Sequence, residues 1–128
     1  MEFYYFVESR SQGAWALCVA NSADSVVEPQ PISLDLTACR IYGLYGFLME
    51  LRPNRGLPAD LSTEGHALAR NMSGDLWGGG HTWLTLLELQ ETDWPDWLRE
   101  THEYKTAMPR MADLGEPEDV RLICWCDY

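Results

Sequence analysis

GGGHTWLTLLEL, residues 78–89, fixes where a helix begins and in which direction the chain enters it. Thr85 and Glu88 stand three apart, the spacing of a capping box: the threonine oxygen accepts the amide of the third helical residue, and the glutamate reaches back to the cap amide. A short helix is therefore expected from Leu86, over residues 86–91. Leu84 and Leu89 have the spacing of a hydrophobic staple, which sets the angle of approach. His81 and Trp83, just upstream, gain a defined place, and the three glycines let the backbone turn and let another molecule come close.

Outward from this junction, three stretches read as strands. Residues 2–8, EFYYFVE, and 14–20, AWALCVA, are aromatic and β-branched runs separated by Ser9–Gly13, a hairpin loop of about five residues. Residues 120–127, VRLICWCD, alternate enough to close the chain as a third strand. The first two runs are nearly continuous in apolar character, so helices should cover the sheet on at least one face. The expected fold class is α+β: a single domain over residues 1–128, with a small antiparallel sheet of about three strands and helices packed on one face.

The segments between supply the helices. Residues 21–33 hold two prolines and small polar residues and read as a surface connection. A helix starting at Asp35 or Thr37 buries Ile41, Leu44, Tyr45, Leu48 and Leu51 on one stripe, and Pro53 stops it. Residues 53–60, PNRGLPAD, form a stiff loop. Residues 62–72 make a short helix capped by Ser62 or Thr63, with Ala67, Leu68 and Met72 inward and His66 on a solvated face; Gly65 weakens it. A further helix starts near Asp93, which can cap it, carries Trp94, Trp97, Leu98 and Tyr104 as a packing face, and ends or kinks at Pro109.

Twenty acidic against nine basic residues give a formal net charge of −11. Direct binding to nucleic acid or to an anionic membrane is disfavoured, because the dominant electrostatic contribution would be repulsive. No apolar run reaches the roughly 20 residues of a membrane span, and the start lacks the basic residues of a signal peptide, so a cytoplasmic protein is expected. Cys18, Cys39, Cys124 and Cys126 then read as reduced thiols. Zinc held by Cys124 and Cys126 with His81 or His66 is weaker than their reading as buried apolar residues, so no metal and no cofactor is expected.

Two sets of residues are candidates for function. Arg40, Arg55, His81, Trp83 and Asp127 are the types that hold an anionic ligand or act on a phosphate ester, through arginine clamps, a histidine titrating near neutrality and an aromatic ring for stacking. No phosphate-binding glycine loop, nucleophile elbow or HExxH motif accompanies them. The second set lies between Glu88 and Asp119, where ten acids face only Arg99, Lys105 and Arg110. Glu88, Glu91, Asp93, Asp96, Glu100, Glu103, Glu116 and Glu118 form the candidate acidic interaction surface, suited to a partner protein with a basic surface. Binding weakened by salt marks that reading, a thermal shift with nucleotides marks a ligand binder, and turnover lost on His81→Ala marks an enzyme.

The chain also resembles a group of small proteins encoded by tailed phages and prophages. The resemblance rests on the aromatic first strand with Gly13 and Trp15, the helix from Arg40-x-Tyr42 through Leu48 to Arg52, and Arg55-Gly56-Leu57-Pro58-x-Asp60-x-Ser62. It continues through His81-Thr82-Trp83-Leu84-Thr85-Leu86-x-Glu88-Leu89 to a closing strand ending in Asp127. What it implies is an origin rather than an activity: a phage- or prophage-encoded protein in the host cytoplasm. With the acidic surface, the expectation is an interaction protein that interferes with a host system, in the manner of an anti-defence inhibitor covering a basic nucleic-acid-binding surface.

Overall fold

The computed structural model describes residues 2–20, 47–53, 55–73 and 81–127. Four strands make one antiparallel sheet: β1 (Glu2–Ser11), β2 (Ala14–Ala20), β3 (Thr82–Thr85) and β4 (Val120–Asp127), in the order β2-β1-β4-β3. The expected hairpin and closing strand are both present, and β4 pairs with β1 from Glu2↔Asp127 to Ser9↔Val120.

The hairpin loop is shorter than expected. β1 continues to Ser11, and the turn is Gln12-Gly13 alone, with φ of 57° and 91°. Positive φ at both central residues is the type I′ turn, whose twist suits a two-residue hairpin. The sheet also has a fourth strand where three were expected. β3 pairs with β4 from Thr82↔Cys124 to Thr85↔Arg121. Four residues running straight into a helix cap offer too little alternation to be read from sequence.

Residues 47–51 are helical (α1), followed by α2 (Thr63–Ser73), α3 (Leu86–Glu91), α4 (Asp96–Arg99), α5 (His102–Ala112) and a 3-10 turn, Pro117–Asp119. α3 begins where its cap predicts. Thr85 Oγ1 accepts from the Glu88 amide at 3.1 Å, the Thr85 amide donates to Glu88 Oε1 at 3.0 Å, and Leu84 and Leu89 are both buried. The single helix expected from Asp93 is instead two. Pro95, not Asp93, occupies the N-cap of α4, while Thr101 caps α5 by accepting from the Tyr104 amide at 3.2 Å. The threonine oxygen competes with helix continuation there. α5 then passes through Pro109 to Ala112.

Alternation along the strands divides the core between the two faces of the sheet. Tyr5, Val7, Leu84, Val120, Leu122 and Cys124 point to one face, where Leu48, Leu86, Leu89, Trp94, Leu98, Ala107 and Met111 cover them. Phe6, Ile123 and Trp125 point to the other, packed with Ala69, Leu57 and Leu61. Helices therefore cover both faces, and the expectation of one face holds for α3, α4 and α5 but not for α2. In α2, Leu68 and Ala69 are buried and His66 is exposed, whereas Ala67 is exposed rather than inward. Ser62 caps α2 by accepting from the Gly65 amide at 2.9 Å. Gly65 is a steric requirement rather than a weakness: a Cβ there would lie 2.7 Å from Glu8 Oε2 and 3.0 Å from the Phe6 ring.

Among the described residues no helix is long and apolar enough to cross a membrane. The connection 21–33, the start of the first helix at Asp35 or Thr37, Arg40, Cys39 and the glycine segment 74–80 lie outside the described residues.

Candidate functional site

The loop before α2 and the strand β3 bring three of the expected ligand residues together. Gly56 donates its amide to the His81 carbonyl at 3.1 Å, Arg55 Nη1 donates to the Trp83 carbonyl at 3.0 Å, and the Arg55 guanidinium lies 4.4 Å over the Trp83 ring. Arg55 is nonetheless engaged by a carboxylate: Nη1 and Nη2 reach Glu88 Oε1 and Oε2 at 2.9 and 3.0 Å, the two-pronged geometry that planar guanidinium favours. Arg52 Nε donates to the same Oε2 at 2.6 Å. Glu88, expected on the acidic surface, is instead the hub of two arginines and a capping box. Burial works to raise its pKa, yet the hydrogen bonds from Arg55, the Thr85 amide and Arg52 outweigh it and lower the pKa from 4.5 to about 2.

His81 is buried, with its ring 5.1 Å from that of Trp125. Cys124 points to the opposite face, among Leu84 and Leu122, so the zinc set imagined around these two is pulled apart by the pleat. Among the described residues no group of three or more His, Cys, Asp or Glu is placed to hold a metal ion. Asp127 pairs with Glu2 at the far end of β4, beyond the start of β3, and its side chain, like those of Cys126 and Met72, is outside the described residues.

The largest charge cluster was not singled out from sequence. Glu8 of β1 and Arg121 of β4 sit opposite one another in register, with side chains 0% and 2% exposed, and Arg121 Nε donates to Glu8 Oε1 at 2.8 Å. Arg121 Nη1 also donates to Asp60 Oδ1 at 2.8 Å, and Glu8 Oε2 accepts the Ser62 amide at 2.9 Å. The hydrogen bond from Arg121 holds the Asp60 carboxyl below its ordinary pKa. Cations and rings alternate across this face: Arg10 lies 4.7 Å over Trp15, Arg121 3.8 Å over Trp15 and 5.7 Å over Trp83, and Arg55 over Trp83. Arg10 is matched by Asp119 at 3.0 Å. The available sequence signal was the pair of charged residues in otherwise apolar strands, which need a buried partner.

Thus Arg10, Arg52, Arg55 and Arg121 are balanced by Glu8, Asp60, Glu88 and Asp119. The formal excess of −11 falls entirely on the rest of the chain. Much of it lies on the flank formed by α3 to α5 and the 3-10 turn. Glu91, Asp93, Glu100, Glu116 and Glu118 are exposed there, and among the described residues none has an ion-pair partner. Asp96 pairs with Arg99, whose pKa is raised by that carboxylate first and by Asp93 as well. Glu103 lies in α5 with its side chain outside the described residues. The aromatic face is divided: Trp94 is buried between Phe47 and Tyr104, with ring centroids 5.1 and 5.0 Å away, whereas Trp97 is 44% exposed.

Compared with known proteins, the chain matches no protein-family model, no curated protein and no solved structure.

Proposed function

We propose that this is an acidic interaction protein of phage or prophage origin that covers a basic, nucleic-acid-binding surface of a host protein and so interferes with a host system. The observation that carries the reading is the division of charge. Among the described residues, Arg10, Arg52, Arg55 and Arg121 are held by carboxylates of the chain itself, while Glu91, Asp93, Glu100, Glu116 and Glu118 are exposed and form no ion pair. Exposed carboxylates at helix ends and in the turns between them present negative charge, the inverse of a phosphate-binding patch, and such complementarity speeds association and selects partners. Arg55 beside Trp83 is engaged by Glu88, so among the described residues this candidate clamp for a nucleotide is already occupied.

The test is capture from host lysate with the tagged full chain, washed at about 0.05 M and about 0.5 M salt, where screening differs several-fold in length. A nucleic-acid-handling protein retained at low salt, released at high salt and displaced by added DNA or RNA is the expected result. The variant carrying Glu91→Gln, Asp93→Asn, Glu100→Gln, Glu116→Gln and Glu118→Gln should lose it. No partner at either salt, or equal capture by the variant, overturns the proposal.

A further inference from the structure

The two edges of the sheet are finished in opposite ways. β3 has four residues, and its exposed edge is capped: Arg55 occupies the Trp83 carbonyl, Gly56 the His81 carbonyl and Glu88 the Thr85 amide. Such shortening and covering is how sheets avoid unwanted pairing. β2, at the other edge, reads AWALCVA and contains no charge and no proline. In a two-residue hairpin closed by Ser11↔Ala14, hydrogen-bonded pairs alternate along the ladder, so the N–H and C=O groups of Trp15 and Leu17 point away from β1. Among the described residues no backbone hydrogen bond reaches Trp15 or Leu17 from outside this hairpin. The side chains of Ala14 and Ala16 are exposed. α2 packs on the sheet face that carries Phe6 and Trp125, where it also lies against β2. The register slips between Val7 and Glu8, so Cys18 bulges and limits the flat part of the edge to Ala14–Leu17.

We infer that the Ala14–Leu17 edge pairs antiparallel with the same edge of a second copy of this chain. A two-fold axis at Ala16 places Trp15 opposite Leu17 of the second copy, which lets these two residues exchange both hydrogen bonds, twice by symmetry. Ala16 faces its own counterpart, where a methyl group offers no obstruction. The charges beside this edge are already matched: Trp15 Nε1 donates to Asp60, and Arg10 and Arg121 lie over its ring with carboxylates of their own. The described charges nearest Trp15 thus form matched pairs at which a second copy can approach, whereas the acidic flank repels it. The contact is short, so the dimer is a weak one. This inference does not rest on the proposed function, and the two have opposite salt dependence. Salt screens repulsion between two copies of charge −11 and strengthens the dimer, whereas it weakens capture of a basic partner.

Sedimentation of the full-length chain across a hundredfold concentration range, at about 0.05 M and about 0.5 M salt, tests it. The expected result is a monomer–dimer equilibrium that tightens at the higher salt, with Trp15 and Leu17 amides protected from hydrogen exchange only at high concentration. Ala16→Lys, on an exposed side chain, sets two ammonium groups face to face and should weaken the dimer at least tenfold while the circular dichroism stays that of the parent. A chain monomeric throughout, a dimer indifferent to Ala16→Lys, or amides whose protection ignores concentration would each overturn the inference.

Discussion

Charges laid across the sheet and charges set along the α3–α5 flank come from the same residue types, yet they are treated in opposite ways. Over the sheet, every arginine of the cluster meets a carboxylate, and the innermost pair, Glu8 with Arg121, has left water altogether. On the flank, Asp96 is paired with Arg99, but Glu91, Asp93, Glu100, Glu116 and Glu118 stand in solvent without an ion pair among the described residues. A buried charge must be matched, because its desolvation costs several kcal/mol; an exposed one need not be. The first group is therefore tied to folding, and the second is available to something outside the molecule. Substitutions should separate the two, with large effects on stability over the sheet and almost none along the flank.

The largest effect is expected at Arg121. Arg121→Met leaves Glu8 buried without its cation and should cost about 3–5 kcal/mol. Urea unfolding followed by fluorescence would show the midpoint fall, in the extreme to a chain unfolded in buffer. Replacing both, as Glu8→Gln with Arg121→Met, should recover most of the loss, since what is costly is the orphaned charge rather than the absence of the pair. If the single variant is as stable as the parent, the cluster does not hold the fold and the contrast with the flank disappears.

How much of this was legible beforehand follows from the range of each signal. The capping box at Thr85 and Glu88, the staple of Leu84 with Leu89 and the closing strand are local patterns, and all three were readable over a few residues. The fourth strand was not, because its partner lies some forty residues away in β4 and its own four residues carry no period. Glu88 was assigned to the surface from its charge and its place on a helix. Its real partners, Arg52 and Arg55, come from a loop more than thirty residues earlier, and nothing local announces them. Glu8, Asp60 and Arg121 are likewise joined only by the register of β1 against β4 and by the loop that crosses them.

Glu88 is the next sharpest test. Glu88→Gln keeps the shape of the cap but removes the charge facing Arg52 and Arg55, for an expected loss of about 1.5–3 kcal/mol, the range for hydrogen bonds to charged groups. The same residue imposes a pH dependence. Its pKa in the folded chain, about 2, lies below its ordinary 4.5, so its contribution is fully present above pH 4.5 and is lost as pH falls towards 2. Acid titration of the unfolding midpoint should show that window, and Glu88→Gln should flatten it. A smaller loss belongs to Gly65→Ala. The added carbon meets Glu8 Oε2 at 2.7 Å, and that carboxylate is fixed by Arg121 and the Ser62 amide, so about 1–3 kcal/mol of overpacking is expected by denaturant unfolding.

The smallest effect on stability is expected from the flank, and there the contrast is most exposed to failure. Neutralising Glu91, Asp93, Glu100, Glu116 and Glu118 together removes five charges that form no ion pair among the described residues. Surface substitutions of this kind usually stay within about 0.5 kcal/mol each, and relief of mutual repulsion works in the stabilising direction. The unfolding midpoint of the fivefold variant should therefore match or slightly exceed that of the parent, even as capture of a basic partner is abolished. A clear fall in the midpoint would mean that the flank carboxylates serve the fold as those over the sheet do, and that the excess negative charge is not free for a partner.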